Sequence, residues 1–292
     1  MPYDFNFGSS TAKGGFASEH TIANKFNNWR RDAEAKKWLE ILGYDLNSIK
    51  EVNAIQIPPR LSRILAKQLG LEKEEDKEFK KADVQVQVTI VLNNGIIKRE
   101  NISVKKANKG ANYNQVDKRK VDTYQRIWGF DSEIAEILKL FTGEINPVEN
   151  PQILKKYCEK EVAELEDNRR IYLNYLKKEY LEKVIDFFKN KKIQILMDVI
   201  KGRGALCAEW LMAVKYEPDS DTTTWALINI NEAILIFCQG EVRPTKQGSL
   251  QLSNGIVMQR KGGTPDPTSL QFKIRPLMIF DYLKKKEEGL NG

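Results

Sequence analysis

Between Lys81 and Lys106 the chain reads KADVQVQVTIVLNNGIIKRENISVKK, and no other stretch restricts its fold as much. Val84, Val86, Val88 and Ile90 alternate with Gln85, Gln87 and Thr89, the period of two that a strand imposes on its side chains. Asn93, Asn94 and Gly95 tolerate the positive φ of a tight reversal, so Ile96 to Lys106 returns as a second strand. With a three-residue loop Leu92 faces Ile96, which sets Gln85 opposite Ser103 and Asp83 opposite Lys105. A two-residue loop shifts every pair by one. Directly opposed residues share a face, with Cβ atoms about 4.5–5.5 Å apart.

An acid beside an ammonium at the end of a hairpin has two readings. One is a cross-strand ion pair. The other is a site for a hard cation, in which the carboxylate binds the metal and the lysine holds a water or a phosphate oxygen beside it.

The rest of the chain narrows the chemistry. His20 is the one histidine in 292 residues, so any serine or cysteine triad would have to use it. It sits in an amphipathic helical pattern, ASEHTIANKF, which suits a surface or core histidine. There is no Walker A motif and no GxGxxG after a strand, which leaves nucleotide-cofactor chemistry without support. Cys158, Cys207 and Cys238 are odd in number and widely spaced, and read as reduced core thiols. No apolar run approaches the roughly 18 residues of a membrane span, and MPYDFNFGSS lacks a secretory core, so a cytoplasmic protein is expected. Net charge is +7, an excess that favours a polyanionic partner. The basic residues also cluster: Lys105, Lys106, Lys109, Lys118, Arg119 and Lys120 in one segment, Arg260, Lys261 and Lys273 in another.

Periodicity predicts one or two helices over 16–42 and a short helix over 61–69. Further helices are expected over 116–128 and 132–140, the latter capped by Asp131 or Ser132. Residues 153–189 read as two charged helices, while 193–200 is open between strand and helix. Strands are expected at 210–216 and 222–230, a helix at 231–238, and short strands at 249–252, 255–259 and 270–274. The whole predicts an α/β fold: a central mixed sheet flanked by helices, in a single domain of residues 1–292, with a helical subdomain or insertion at about 131–190.

Several blocks then occur in one order: GSSTAKGGFASEHTIANKFNNW, NYNQVDK, YQRIWGFD, LFTGEINP, KGRGALCAEW, NINEAI and MQRKGG followed by LQFKI. Together with Asp83 and the Ser103-Val104-Lys105 run they resemble the HinP-type restriction endonucleases, relatives of the MspI type within the PD-(D/E)XK nuclease superfamily. The resemblance runs nearly end to end, apart from an extra stretch at about 58–81. It implies a PD-(D/E)XK core and a type II restriction endonuclease that hydrolyses double-stranded DNA with Mg²⁺, for which Mn²⁺ can substitute. It also implies a functional pairing with a cognate DNA methyltransferase. By the same resemblance Asp83 and the backbone carbonyl of Val104 are metal ligands, and Lys105 orients the attacking water. Ser103 departs from the pattern, since the family places Glu or Gln there. A serine oxygen is shorter and neutral, so Glu19 on the first helix is the candidate carboxylate to compensate; its other reading is a solvated helix acid. Glu100, five residues from Lys105, falls on the opposite face.

Two regions suit DNA reading. Lys109, Asn112, Tyr113, Asn114, Gln115 and Lys118 lie on a basic loop, where amides can bond base edges and Tyr113 can stack or wedge between bases. Arg260 or Lys261 suits the guanine edge, with Gln271 and Lys273 adding polar reach. The resemblance to the HinP type, which cuts within GCGC, implies a short G·C-rich palindrome, GCGC or a variant, since the loop between them is rewritten here as Thr-Pro-Asp-Pro. Two other readings stay open: a structure-dependent repair or resolving nuclease on the same core, and a catalytically dead DNA-binding protein.

Overall fold

The computed structural model describes residues 19–58, 85–107, 113–203, 206–217, 222–260 and 268–290. Asp83, Lys109, Asn112, Lys261 and the helix expected at 61–69 lie outside these residues. Contacts divide the chain into two units.

The first unit draws on Met1–Asn114, Lys201–Ala233 and Pro276–Gly292. Its helices α1 (19–27) and α2 (Ala33–Ile41) are separated by Asp32, whose carboxylate accepts from Ala35 N–H at 2.9 Å and caps α2. Then come strands β1 (Ile49–Gln56), β2 (Gln85–Leu92) and β3 (Ile97–Ala107). Further along the chain β5 (Trp210–Glu217) and β6 (Thr222–Asn229) complete a sheet of order β1-β2-β3-β5-β6. It is mixed, because β3 and β5 run parallel while the other neighbours are antiparallel.

The hairpin has the three-residue turn: Leu92 N–H donates to Ile96 O at 2.8 Å, and Gln85 stands opposite Ser103. Gly95 takes a φ of +83°, which a side chain would resist. Val86, Val88, Ile90, Ile102 and Val104 turn one face of the sheet into a core with Ile22 and Phe26 of α1 and Trp38 of α2. The Asn27 side chain clasps Ala54 of β1 through both its N–H (2.7 Å) and its carbonyl (3.0 Å). Leu211, Ala213, Ala226 and Ile228 of the opposite face are buried as well, and a C-terminal helix (Leu277–Leu290) packs against β5 and β6.

The second unit draws on Gln115–Ile200 and Ile234–Arg275. Its sheet has the order β4-β10-β9-β8-β7, with β4 at Asn114–Arg119, β7 at Arg243–Pro244, β8 at Leu250–Ser253, β9 at Ile256–Arg260 and β10 at Leu270–Ile274. Helix α3 (Val121–Trp128) lays Tyr124 and Trp128 on Phe272, with ring centroids 5.2 and 5.4 Å away. Trp128 Nε1 donates to Asp198 at 2.7 Å, so the buried indole is satisfied. The stretch expected to be helical over 116–128 is therefore strand to Arg119 and helix only from Val121. Helix α4 (Ser132–Thr142) is capped by Asp131, which accepts from Ile134 N–H at 2.8 Å. The helical middle expected over 131–190 falls inside this unit, and residues 193–200, open from sequence, are helical.

Candidate active site and nucleic-acid interface

In the first unit the site is built from the end of β3, the central strand. Alternation gives Asn101, Ser103 and Lys105 one face and Ile102 and Val104 the other. The apolar pair is held in the helix-covered core, which fixes where the polar set points. Ser103 is fully buried, and its Oγ has no hydrogen-bond partner among the described residues. Lys105 is only 4% exposed and stands opposite Ala213 of β5, whose single methyl group leaves room for a long side chain. The register that puts Gln85 opposite Ser103 is the one read from the sequence; Asp83, two residues earlier, lies outside the described residues.

Glu19 is buried on α1 and accepts from Gln56 Nε2 at 3.0 Å. Gln56 stands opposite Val86, on the face that carries Ile102 and Val104. Glu19 thus meets the end of β1 through Gln56. Glu100 is away from Lys105, as alternation required, and accepts from Trp210 Nε1 at 2.8 Å. His20 is exposed, with Asn24 bonded to its ring at 3.1 Å. Among the described residues no three His, Cys, Asp or Glu side chains converge to hold a metal. The unpartnered Ser103 Oγ is an oxygen of the kind a hard cation takes, directly or through water, whereas the Lys105 ammonium on the same face can hold only a water or a phosphate oxygen. Cys158 is buried, which pushes its thiol up to about 12, while Cys207 and Cys238 are half-buried and not core residues as expected.

In the second unit Leu270, Phe272 and Ile274 face inward and Gln271 and Lys273 outward. Gln271 Nε2 donates to Gln115 Oε1 at 2.5 Å, so two residues expected to read DNA, from segments far apart in sequence, meet. Gln259 stands opposite Gln271 on β9, an amide that sequence reasoning missed although it precedes Arg260 in the quoted MQRKGG block. Lys273 is half-buried, and burial holds its ammonium below the ordinary lysine value.

Arg260 directs its guanidinium to partners within its own unit. Nη1 donates to Ile171 O at 3.1 Å, Nη2 pairs with Asp167 at 3.6 Å, and the guanidinium lies 4.1 Å over the Tyr172 ring. Burial, and after it the charge of Arg170, lowers its pKa. It fastens the 167–172 segment to β9. Burial pushes the Asp167 carboxyl up, but hydrogen bonds from Arg170 and Arg169 outweigh this and pull it down to about 2. Tyr113 is exposed just before β4, Lys118 is half-buried on β4, and Asn114 spends its amide on Lys106 O at 2.7 Å.

The sequence profile of the R.HinP1I restriction endonuclease family matches residues 76–280. A mixed sheet with a buried lysine at the end of its central strand, in a chain that this profile covers for most of its length, defines a nuclease. The chain belongs to the R.HinP1I restriction endonuclease family and is a type II site-specific deoxyribonuclease. Its fold is similar to that of the restriction endonuclease MspI, solved in complex with its cognate DNA: the TM-score is 0.57 at 14% identity, over 94% of this chain and 93% of that one. Comparison with curated protein sequences gives no match. No helix among the described residues is long and apolar enough to cross a membrane.

Proposed function

We propose that this enzyme hydrolyses phosphodiester bonds of double-stranded DNA at a short G·C-rich palindrome, GCGC or a variant, in a reaction that requires Mg²⁺ and accepts Mn²⁺. The observation that carries the reading is the pairing of buried Lys105 with the orphaned Ser103 hydroxyl on one face at the end of β3, in a chain of this family. Asp83 and the Val104 carbonyl would hold the metal, with Ser103 reaching it through water. The cation, when bound, supplies Lewis-acid activation of the phosphate and a water of lowered pKa.

The chain's own residues do the rest. Lys105 orients the attacking water by hydrogen bonding, and its burial excludes bulk solvent from that contact. On the second unit, Gln115, Gln259 and Gln271 present amides suited to base edges, and a phosphate beside Lys273 would restore the solvation that burial takes from it. Tyr113, exposed before β4, would stack on an opened base step. A methyltransferase of the same specificity would protect the host's own sites. A timed plasmid digest with Mg²⁺ tests the reading: discrete fragments support it. General or structure-dependent degradation would point to a repair or resolving nuclease, and intact DNA to a dead site.

A further inference from the structure

Two strands flank the end of β3, and their registers are fixed by different means. β2 is joined to β3 by the turn at Asn93 to Gly95, so that pairing is set locally. β5 runs parallel to β3 and follows it only after residues 115–200 of the second unit, so no turn sets its register. Burial does not set it either. Leu211, Met212, Ala213 and Val214 are all buried, both faces of β5 are apolar, and a slip of two residues would bury similar surface. The slip would matter to the site, because Ala213 stands opposite Lys105 and Leu211 opposite Ser103. A shift of two brings Leu211 or Lys215 to Lys105 in place of a methyl group.

Directed polar contacts just before Ser103 supply what the apolar pattern lacks. Asn101 N–H donates to Glu209 Oε2 at 3.1 Å, and Glu209 N–H returns to Asn101 O at 2.9 Å. Asn101 Nδ2 donates to Cys207 O at 3.2 Å, while Gln87 Nε2 donates to Asn101 Oδ1 at 3.1 Å from β2. Gln87 and Asn101 are both buried, on the face that carries Ser103 and Lys105 beside Leu211, Ala213, Ala226 and Ile228. Buried amides lose their bonds to water, and a slipped register would leave Asn101 and Glu209 without these partners. Cys207 and Glu209 belong to the KGRGALCAEW block, which the hydrolytic roles leave unused.

We infer that Asn101 and Glu209 are positioning residues that fix the parallel register of β3 against β5 and so hold Lys105 beside Ala213; the catalytic consequence rests on the endonuclease reading above. Displacing a reacting group by about 1 Å can cost about 100-fold in rate, so a lock two and four residues from Ser103 and Lys105 acts on turnover.

The test compares wild type with Asn101→Ala, Glu209→Ala and Glu209→Gln, the last of which keeps an oxygen to accept from Asn101 N–H. Both alanine variants are expected to lose about 10- to 100-fold in kcat on plasmid DNA with Mg²⁺. Their KM and their DNA affinity in Ca²⁺ stay within about three-fold, and Glu209→Gln keeps kcat within about three-fold of wild type. Amide hydrogen exchange over 210–217, read without DNA or metal, speeds up in the alanine variants and not in Glu209→Gln. An alanine variant that does not fold is replaced by Asn101→Ser, too short to reach Cys207. Wild-type kcat in an alanine variant overturns the inference, as do unchanged exchange there and a Glu209→Gln that falls as far as Glu209→Ala. A wild-type protein that cuts no DNA would sink the endonuclease reading instead, while the exchange comparison still decides the register lock.

Discussion

The two sheets handle polar residues in opposite ways. In the first, both faces are buried, and Gln87, Asn101, Ser103 and Lys105 are enclosed within it. In the second, one face packs on Tyr124 and Trp128, while Gln271 and Lys273 are left half-covered on the other. An enclosed polar group is held by geometry and shielded from water, which suits a reacting group; a half-covered row of amides can still exchange water for a base edge. The difference fits the proposal that the first sheet carries the chemistry and the second the recognition.

Breaking the chemical half should have the largest effect. Asp83→Asn removes the charge proposed to hold the cation and should lower Mg²⁺-dependent cutting by about 10³-fold or more in a timed digest, on the scale of removing a charge-stabilising group; undiminished cutting would remove Asp83 from the site. Next comes the floor of the recognition sheet. Phe272 is fully buried between Tyr124 and Trp128, so Phe272→Ala should cost about 3–5 kcal/mol in denaturant unfolding of the second unit. A loss below about 1 kcal/mol would mean that the packed face is not what holds that sheet.

Smaller effects sharpen the comparison. Tyr113→Ala should weaken specific binding about ten-fold while leaving low-salt non-specific binding unchanged, as loss of one stacking contact predicts. A 2-aminopurine in the site should brighten less with this variant than with wild type, and equal brightening would make Tyr113 a loop residue only. The smallest effect concerns Asp167. Its folded-state carboxyl titrates at about 2, below the ordinary aspartate value, so its stabilisation is present above about pH 4 and lost as pH falls towards 2. Asp167→Asn should flatten that acid limb of stability by roughly 1–2 kcal/mol, measured by thermal melts between pH 2 and 5. An unchanged limb would show that Arg169, Arg170 and Arg260 do not depend on it.

What the sequence disclosed follows the range of the interactions involved. The hairpin was legible because its alternation and its turn are local, and its register came out residue for residue as far as Gln85. β1 was not legible because a bulge between Ile49 and Glu51 breaks its period of two. β4 looks helical in the sequence because Val116, Val121, Tyr124 and Trp128 form an apolar series that runs across a strand–helix junction. The Ser103–Lys105 pairing on one face needed only alternation. The contacts of Arg260 with Asp167, Ile171 and Tyr172 were not legible, because these partners lie about 90 residues earlier, where no local pattern points to them. The Gln115–Gln271 contact was hidden for the same reason, although both amides had been singled out separately.

The division of labour is tested most directly by measuring cutting and site binding on the same DNA for Lys105→Ala and Gln271→Ala. The account predicts that the two quantities separate in opposite senses. Lys105→Ala should lose about 10²–10⁴-fold in single-turnover rate while keeping site affinity within a few-fold, since one lysine is a small part of a multi-phosphate interface. Gln271→Ala should lose about ten-fold in site affinity, the scale of a lost base contact, yet cut at close to the wild-type rate once saturated. If each variant instead lost binding and cutting in step, the two sheets would not divide chemistry from recognition, and the account would be wrong.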